Sequence, residues 1–199
     1  RPLSVLVQVS GFMSSLALDF LIRCAPRANI LRDSVERLPV ALEHPLSQIL
    51  VLRVARLNVL TSEYGELWSE VYNSDFHNDE WTGGIEYEGR DGLSAVAAQW
   101  TPDTPLRRAA DRRQGLVEID ALVALMLGVT VDELCSVYRT QFPVLYGYDR
   151  NRDFYDANGR LVPNEVLKVW RDKGDRISVE ERTATNQAGY TSTYELPFV

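Results

Sequence analysis

The sequence predicts a mainly α fold with a small β component, an α+β chain dominated by helices. Three observations carry that prediction. The stretch TPLRRAADRRQGLVEIDALVALMLG, residues 104–128, reads as one helix with both ends marked. A second helix begins directly after it. Strand-like signals are few: an alternating run at residues 3–9, one Asn-Gly turn and a polar Thr/Ser/Gly-rich tail. The expected architecture is a helical bundle around the 104–128 and 130–142 helix pair, with a small β-hairpin and an extended C-terminal tail.

Each end of that pair has a physical reason. Thr104 is a good N-cap, and Pro105 suits the first helical position, where its missing N–H costs nothing. Gly128 is a natural residue to follow a helix C-terminus. Thr130 and Glu133 form a capping box for the next helix, with Val129 placed to staple onto Leu134. On a helical wheel, Leu106, Ala109, Ala110, Leu116, Val117 and Ala124 share one side, the expected core face. Arg107, Asp111, Gln114 and Glu118 lie opposite, and Arg108 and Arg112 form an adjoining basic edge. Arg113 and Asp120 fall on the apolar side and read as semi-buried structural charges, each needing a partner. The competing reading places the four arginines on a phosphate backbone.

Earlier in the chain, Leu3, Val5, Val7 and Val9 alternate as in a strand, although the same residues also fit the first turns of a helix. Residues 11–24 read as a buried helix. Residues 44–60 form a second, with Leu46, Ile49, Leu50, Val54 and Leu57 at helical spacing. Thr61 or Ser62 caps a third, running to Tyr72. Residues 74–103 are irregular and hold Gly83, Gly84, Gly89, Gly92 and the aromatics Phe76, Trp81, Tyr87 and Trp100. That length without periodicity suggests a lid, a binding loop or a partly disordered segment. After the helix pair, 146–158 is aromatic and polar. Asn158-Gly159 predicts a hairpin turn between 154–155 and 161–162. Pro163 or Asn164 opens a short helix to Lys173 with Val166, Leu167 and Trp170 inward, and 174–199 is extended.

Composition narrows the function. The net charge of −7 argues against a free-standing nucleic-acid binder. The 21 cationic residues include only two lysines, Lys168 and Lys173. Arginine is the better bidentate partner for phosphate and guanine, but a high-GC genome gives the same skew. Cys24 and Cys135 stand alone and read as buried thiols of a cytosolic, cytoplasmic protein. His44 and His77 are isolated, so no zinc-ligand pattern exists. Leu3 to Ile22 has the length of a membrane span, but Gln8, Ser10, Ser14, Ser15 and Asp19 interrupt it, which argues against a membrane segment. The Arg1-Pro2 start suggests a piece of something longer.

Catalytic motifs are missing from the sequence. Neither lysine sits in a Gly-Lys-Ser/Thr P-loop or two residues after an acid, as a metal-dependent nuclease core requires. There is no Asn/Asp-Pro-Pro-aromatic run, no Gly-x-Ser-x-Gly and no HExxH. Asp149, Asp153 and Asp156 fit no calcium-loop pattern and read as a solvated loop.

A resemblance extends this reading. Residues 112–124 (RRQGLVEIDALVA), Leu127 to Thr130 and Glu133-Leu134 resemble a run near the C-terminus of large bacterial restriction–modification adenine methyltransferases, type IIG-like single-chain enzymes and their phage-defence relatives. Tyr138 to Val144 and Tyr155 to Arg160 resemble its continuation. Gly11 to Ser15, Asp19 to Arg23 and Leu38-Pro39 are similar to the end of the family's target-recognition region, although Met13-Ser14-Ser15 departs from the family triplet.

The resemblance implies that 1–42 ends the target-recognition region and that 43–199 is a C-terminal helical module. S-adenosylmethionine would be held by the parent's N-terminal part, with no cofactor in this segment. The partners would be double-stranded DNA, through the parent, and the parent's methyltransferase domain. Phosphate contacts would come from Arg107, Arg108, Arg112, Arg23 or Arg27, with Lys168, Arg171 and Lys173 as further candidates. Base reading is expected from the 74–103 loop or from parts of the specificity domain outside this segment. The alternative is a helical interaction or bracing module without direct DNA contact.

Overall fold

A computed structural model describes residues 2–24, 32–150 and 153–199. The chain is mainly helical, with one two-stranded antiparallel sheet. The helices are α1 (Leu3–Met13), α2 (Leu16–Cys24), α3 (Arg32–Val35), α4 (Ser47–Asn58), α5 (Gly65–Val71), α6 (Ala109–Met126), α7 (Val131–Gln141), α8 (Pro143–Arg150) and α9 (Asn164–Lys173). Strands β1 (Thr183–Thr185) and β2 (Thr191–Thr193) pair with Thr183 opposite Thr193.

At the centre of the main core lies α4, buried on nearly every side. Between its polar ends, its sequence, SQILVLRVARLN, is apolar around the helix except for two arginines, as a central helix must be. One flank is covered by α1 and another by α6. Gly11 allows the close approach of α1: a Cβ there would lie 2.7 Å from Val54 Cγ2 and 3.1 Å from Leu50 Cδ1. Phe12, Leu18, Leu50, Leu52, Trp68 and Leu93 are fully buried in this core, which runs across the 42/43 boundary.

The open choice for residues 3–9 resolves as helix, because the alternating apolar residues pack against α4 and α5. The predicted 11–24 helix is two helices. Ser14 and Ser15 break it by donating their hydroxyls to the carbonyls of Gly11 and Phe12. The resulting bend is 65°. No single described helix is long and apolar enough to cross a membrane; the α1–α2 pair has that length and composition only across the bend.

The start of the central helix pair differs from expectation. Thr104 and Pro105 precede α6, and Arg108 occupies the N-cap position. Thr104 is buried and instead accepts the Thr101 amide in a tight turn. The other end is as read: Gly128 has φ +73°, and the Thr130/Glu133 capping box is formed in full.

Residues 143–150, read as part of an aromatic loop, form α8. A second, smaller core gathers Val162, Val166, Leu167, Ile177 and Phe198. The Asn158-Gly159 turn sits at its edge, with Tyr155 bridged to Leu161 and Gly159 at φ +71°. Val199 pairs with Tyr155 through both main-chain hydrogen bonds, so the C-terminal tail is tied into this unit.

Candidate nucleic-acid interface

The wheel predicted for 104–128 holds only in part: Leu106, Ala110 and Ala124 are buried as read, but two residues of the predicted polar side turn inward as well. Asp111 and Glu118 are buried at 7% and 4% exposure, whereas Leu116 and Val117 are 45% and 41% exposed. Glu118 is drawn inward by Arg53 of α4, and Asp111 by Tyr87 and Arg90 of the 74–103 stretch.

Arg53 is 1% exposed. Its Nε donates to Glu118 Oε2 at 2.5 Å, and Nη1 donates to Asp79 at 2.6 Å and to the Ile49 carbonyl. Glu118 also accepts from Gln114 and from the amide and hydroxyl of Thr82. Burial alone would raise the Glu118 carboxyl. The hydrogen bonds from Gln114 and Thr82 and the Arg53 charge outweigh it and hold the group below the usual carboxylate range. Arg56 has no direct carboxylate partner. It donates to the carbonyls of Leu93, Thr104, Gly92 and Asp103, and burial lowers its pKa.

These contacts fasten the 74–103 stretch to the helices. Trp68 donates to Ala97 and Trp100 to Val59. Tyr87 donates to Asp111 at 2.5 Å, and Arg90 donates to the same carboxylate at 3.1 Å. The segment is irregular, as read, but its main-chain carbonyls are bound by buried arginines and it forms a folded cover.

The candidate phosphate contacts scatter. Arg107 is exposed, but its Nε and Nη2 donate to the carbonyls of Pro102 and Leu60. Arg112 donates to Leu57 and Leu106 carbonyls. Both thus hold the C-terminal end of α4, where a cation also complements the helix dipole. Arg108 donates to the Asn158 carbonyl and lies over the Tyr87 ring.

Away from α6, Arg23 pairs with Asp19 and lies over Phe142. Lys173 pairs with Glu181. Lys168 and Arg171 are exposed on α9. Arg27 lies outside the described residues.

Two buried-group expectations need correction. Arg113 is 43% exposed and pairs with Asp149 at 2.9 Å. It lies beside Leu116 and Val117 on the exposed side of α6. Asp120, in contrast, is half-buried with a partner, as read: it accepts the Leu16 amide at 2.7 Å, capping α2 across the core. Burial pushes its carboxyl up to about 6, against the lowering effects of that amide and of Arg113. Cys24 is exposed and Cys135 partly so, since both sit on the outer helices.

Asp156, read as a loop acid, is fully buried and accepts from the amides of Asn158, Arg160 and Glu195 and from the Arg160 guanidinium. Burial would raise its carboxyl, but Arg160 and those amides hold it low.

The cavities offer little chemistry. One of about 510 Å³ lies between α2 and α7, lined by apolar residues such as Phe20, Leu21 and Leu134. Its acid, Glu133, is engaged in the capping box. A second, of about 220 Å³, mixes Arg56, Arg107 and Arg108 with Asp91, Asp103 and Asp111, which largely cancels any preference for an anion. Among the described residues, no group of three His, Cys, Asp or Glu could hold a metal ion.

The residues that organise the site — Arg53, Arg56, Tyr87, Asp111 and Glu118 — were not singled out by sequence reasoning as a network. A signal existed in α4: two arginines three apart in an otherwise apolar helix must meet acids or carbonyls. The chain matches no protein-family model, no curated protein and no solved structure.

Proposed function

We propose that the chain is a non-catalytic scaffold and DNA-recognition segment of a site-specific DNA adenine methyltransferase of the restriction–modification or phage-defence kind. Bracing is its first task and phosphate contact its second. The observation that carries this reading is how the arginines of α6 are engaged. Arg107, Arg108 and Arg112 donate to main-chain carbonyls of other segments, and Arg113 to Asp149. The run that resembles the methyltransferases, 112–124, is thus the part of α6 that ties α4, α2 and the 74–103 cover together.

Phosphate contact then falls to cations with free donors, foremost Lys168 and Arg171 of α9, with Arg107 as a further candidate. S-adenosylmethionine would be bound by another part of the parent. The reading without DNA contact draws support from exposed apolar residues on α6 and α8, Leu125 at 57%, Val144 at 70% and Tyr148 at 70%.

Charge reversal separates the two. In the parent protein, Lys168→Glu with Arg171→Glu should weaken binding to a mixed-sequence duplex and flatten its salt dependence. Unchanged affinity and salt slope would remove the DNA role of α9 and leave bracing alone.

A further inference from the structure

We propose that the Asn158-Gly159 turn is a latch that couples the C-terminal unit to the 79–93 segment, so that displacing either one loosens the other. The inference goes beyond bracing and does not depend on the methyltransferase reading.

The two partners have little else in common. The C-terminal unit has its own core, and α9 and the β1–β2 hairpin pack on each other without extensive contact to the helices of the main core. Residues 81–91 include no buried residue. Their order therefore rests on a few anchored side chains.

One of them, Tyr87, meets the turn directly, and Arg108 at the α6 N-cap joins it there. The Tyr87 ring lies flat against Gly159: a Cβ at that position would sit 2.8 Å from both Tyr87 Cε1 and Cζ. The Tyr87 hydroxyl donates to Asp111, which also receives Arg90, and Arg90 lies over Trp81 at 4.9 Å. Arg108 joins both sides, since its Nη1 donates to the Asn158 carbonyl at 2.6 Å while its guanidinium lies 5.3 Å from the Tyr87 ring centre. Beside it, the Ala110 amide in the first turn of α6 donates to the Gly159 carbonyl at 3.1 Å.

The turn is stiff. Asp156 Oδ1 accepts the amides of Asn158 and Arg160, and Gly159 holds a left-handed φ that few other residues adopt. A displacement of the C-terminal unit is therefore passed to Tyr87 and Arg108 rather than absorbed. Coupling of this kind is reciprocal: whatever engages the C-terminal unit alters the order of 79–93, and the converse holds.

Hydrogen exchange on the intact chain tests the latch. Gly159→Asn keeps a residue that tolerates the left-handed conformation but drives a side chain into the Tyr87 ring. It should speed exchange of amides in 82–91 by about tenfold and leave those of α4 unchanged. Tyr87→Ala should speed exchange in 154–162 by a similar factor. In the double variant, the Gly159→Asn effect should shrink, because the ring it meets is gone. Perturbations that stay on their own side, or a fully additive double variant, would overturn the proposal. If Gly159→Asn does not fold, Arg108→Gln read against Tyr87→Ala in the same cycle gives the same decision.

Discussion

The two faces of α6 obey different rules. The inward face sets Asp111, Gln114 and Glu118, closed by Arg53, Arg90 and Thr82, beside the buried Gly115, Ile119, Leu122 and Val123. The outward face carries Leu116, Val117 and Leu125 and is open. A helix can be buried partly through its charges when its neighbours bring matching donors. It can expose apolar residues when nothing in the same chain covers them. The inward face is also a high-stakes arrangement, since a buried pair contributes little net stability while intact and costs much when one member is lost.

That contrast sets the largest expected effect. Glu118→Ala should destabilise the fold by about 3–5 kcal/mol, because Arg53 would be left buried without its closest acid. Leu125→Ser on the other face should change stability by less than about 0.5 kcal/mol. Urea denaturation of both variants checks the pair. A Glu118→Ala loss no larger than the Leu125→Ser loss would mean that the inward network contributes nothing to the fold.

A middle-sized effect tests the edge between the faces. Burial raises Asp120 from 3.8 to about 6, so the folded chain favours its protonated form. Its contribution is most favourable below the unfolded value and is lost as pH rises through about 6. Above that, the ionised carboxyl destabilises the fold relative to a neutral acceptor. Asp120→Asn keeps an oxygen for the Leu16 amide without the charge. It should be more stable than the parent chain by about 1–2 kcal/mol at pH 8, allowing for partial exposure, and close to equal at pH 4. Thermal denaturation across that range decides it: an advantage that does not grow with pH would contradict the environment described for Asp120.

A smaller effect belongs to the helix end that the sequence read correctly. Gly128→Ala forces a Cβ into φ +73°, with no neighbouring atom within 4 Å to interfere. The loss should be about 1–2 kcal/mol and purely conformational. Gly128→Asn should recover part of it, and equal losses for Ala and Asn in urea would argue against a left-handed residue there.

These cases also separate what was legible from what was not. Local chemistry was legible: Gly128, the Thr130/Glu133 box, the Asn158-Gly159 turn and the inward Val166 and Leu167 depend on a few neighbouring residues. The helix-dominated fold followed from the same signals. The orientation of α6 was only partly legible from its own wheel, because its neighbours decide the rest. Arg53, Tyr87 and Arg90 lie elsewhere in the sequence, and a moment computed on one helix cannot include them. The same holds for 74–103, whose irregular composition hid how firmly it is fastened. The candidate phosphate contacts suffered most, since an arginine near a carbonyl and one near solvent look alike in sequence.

Arg113 gives the sharpest small test of that lesson. A wheel that buries it predicts that removing it strands Asp120 in the core, at a loss of several kcal/mol. The structure places it 43% exposed, joined to Asp149 across the surface between α6 and α8. Tyr138, on α7, donates to the same Asp149 carboxylate, and its phenol is pushed up to about 12 by burial and by that acid. Arg113→Gln should therefore lower stability by no more than about 1 kcal/mol, and salt should reduce the difference further. The loss should nearly vanish when Asp149→Asn is already present, because the two residues share one exposed contact. A loss of several kcal/mol that persists in the Asp149→Asn background would mean that Arg113 faces the core after all, and that the two faces of α6 have been assigned the wrong way round.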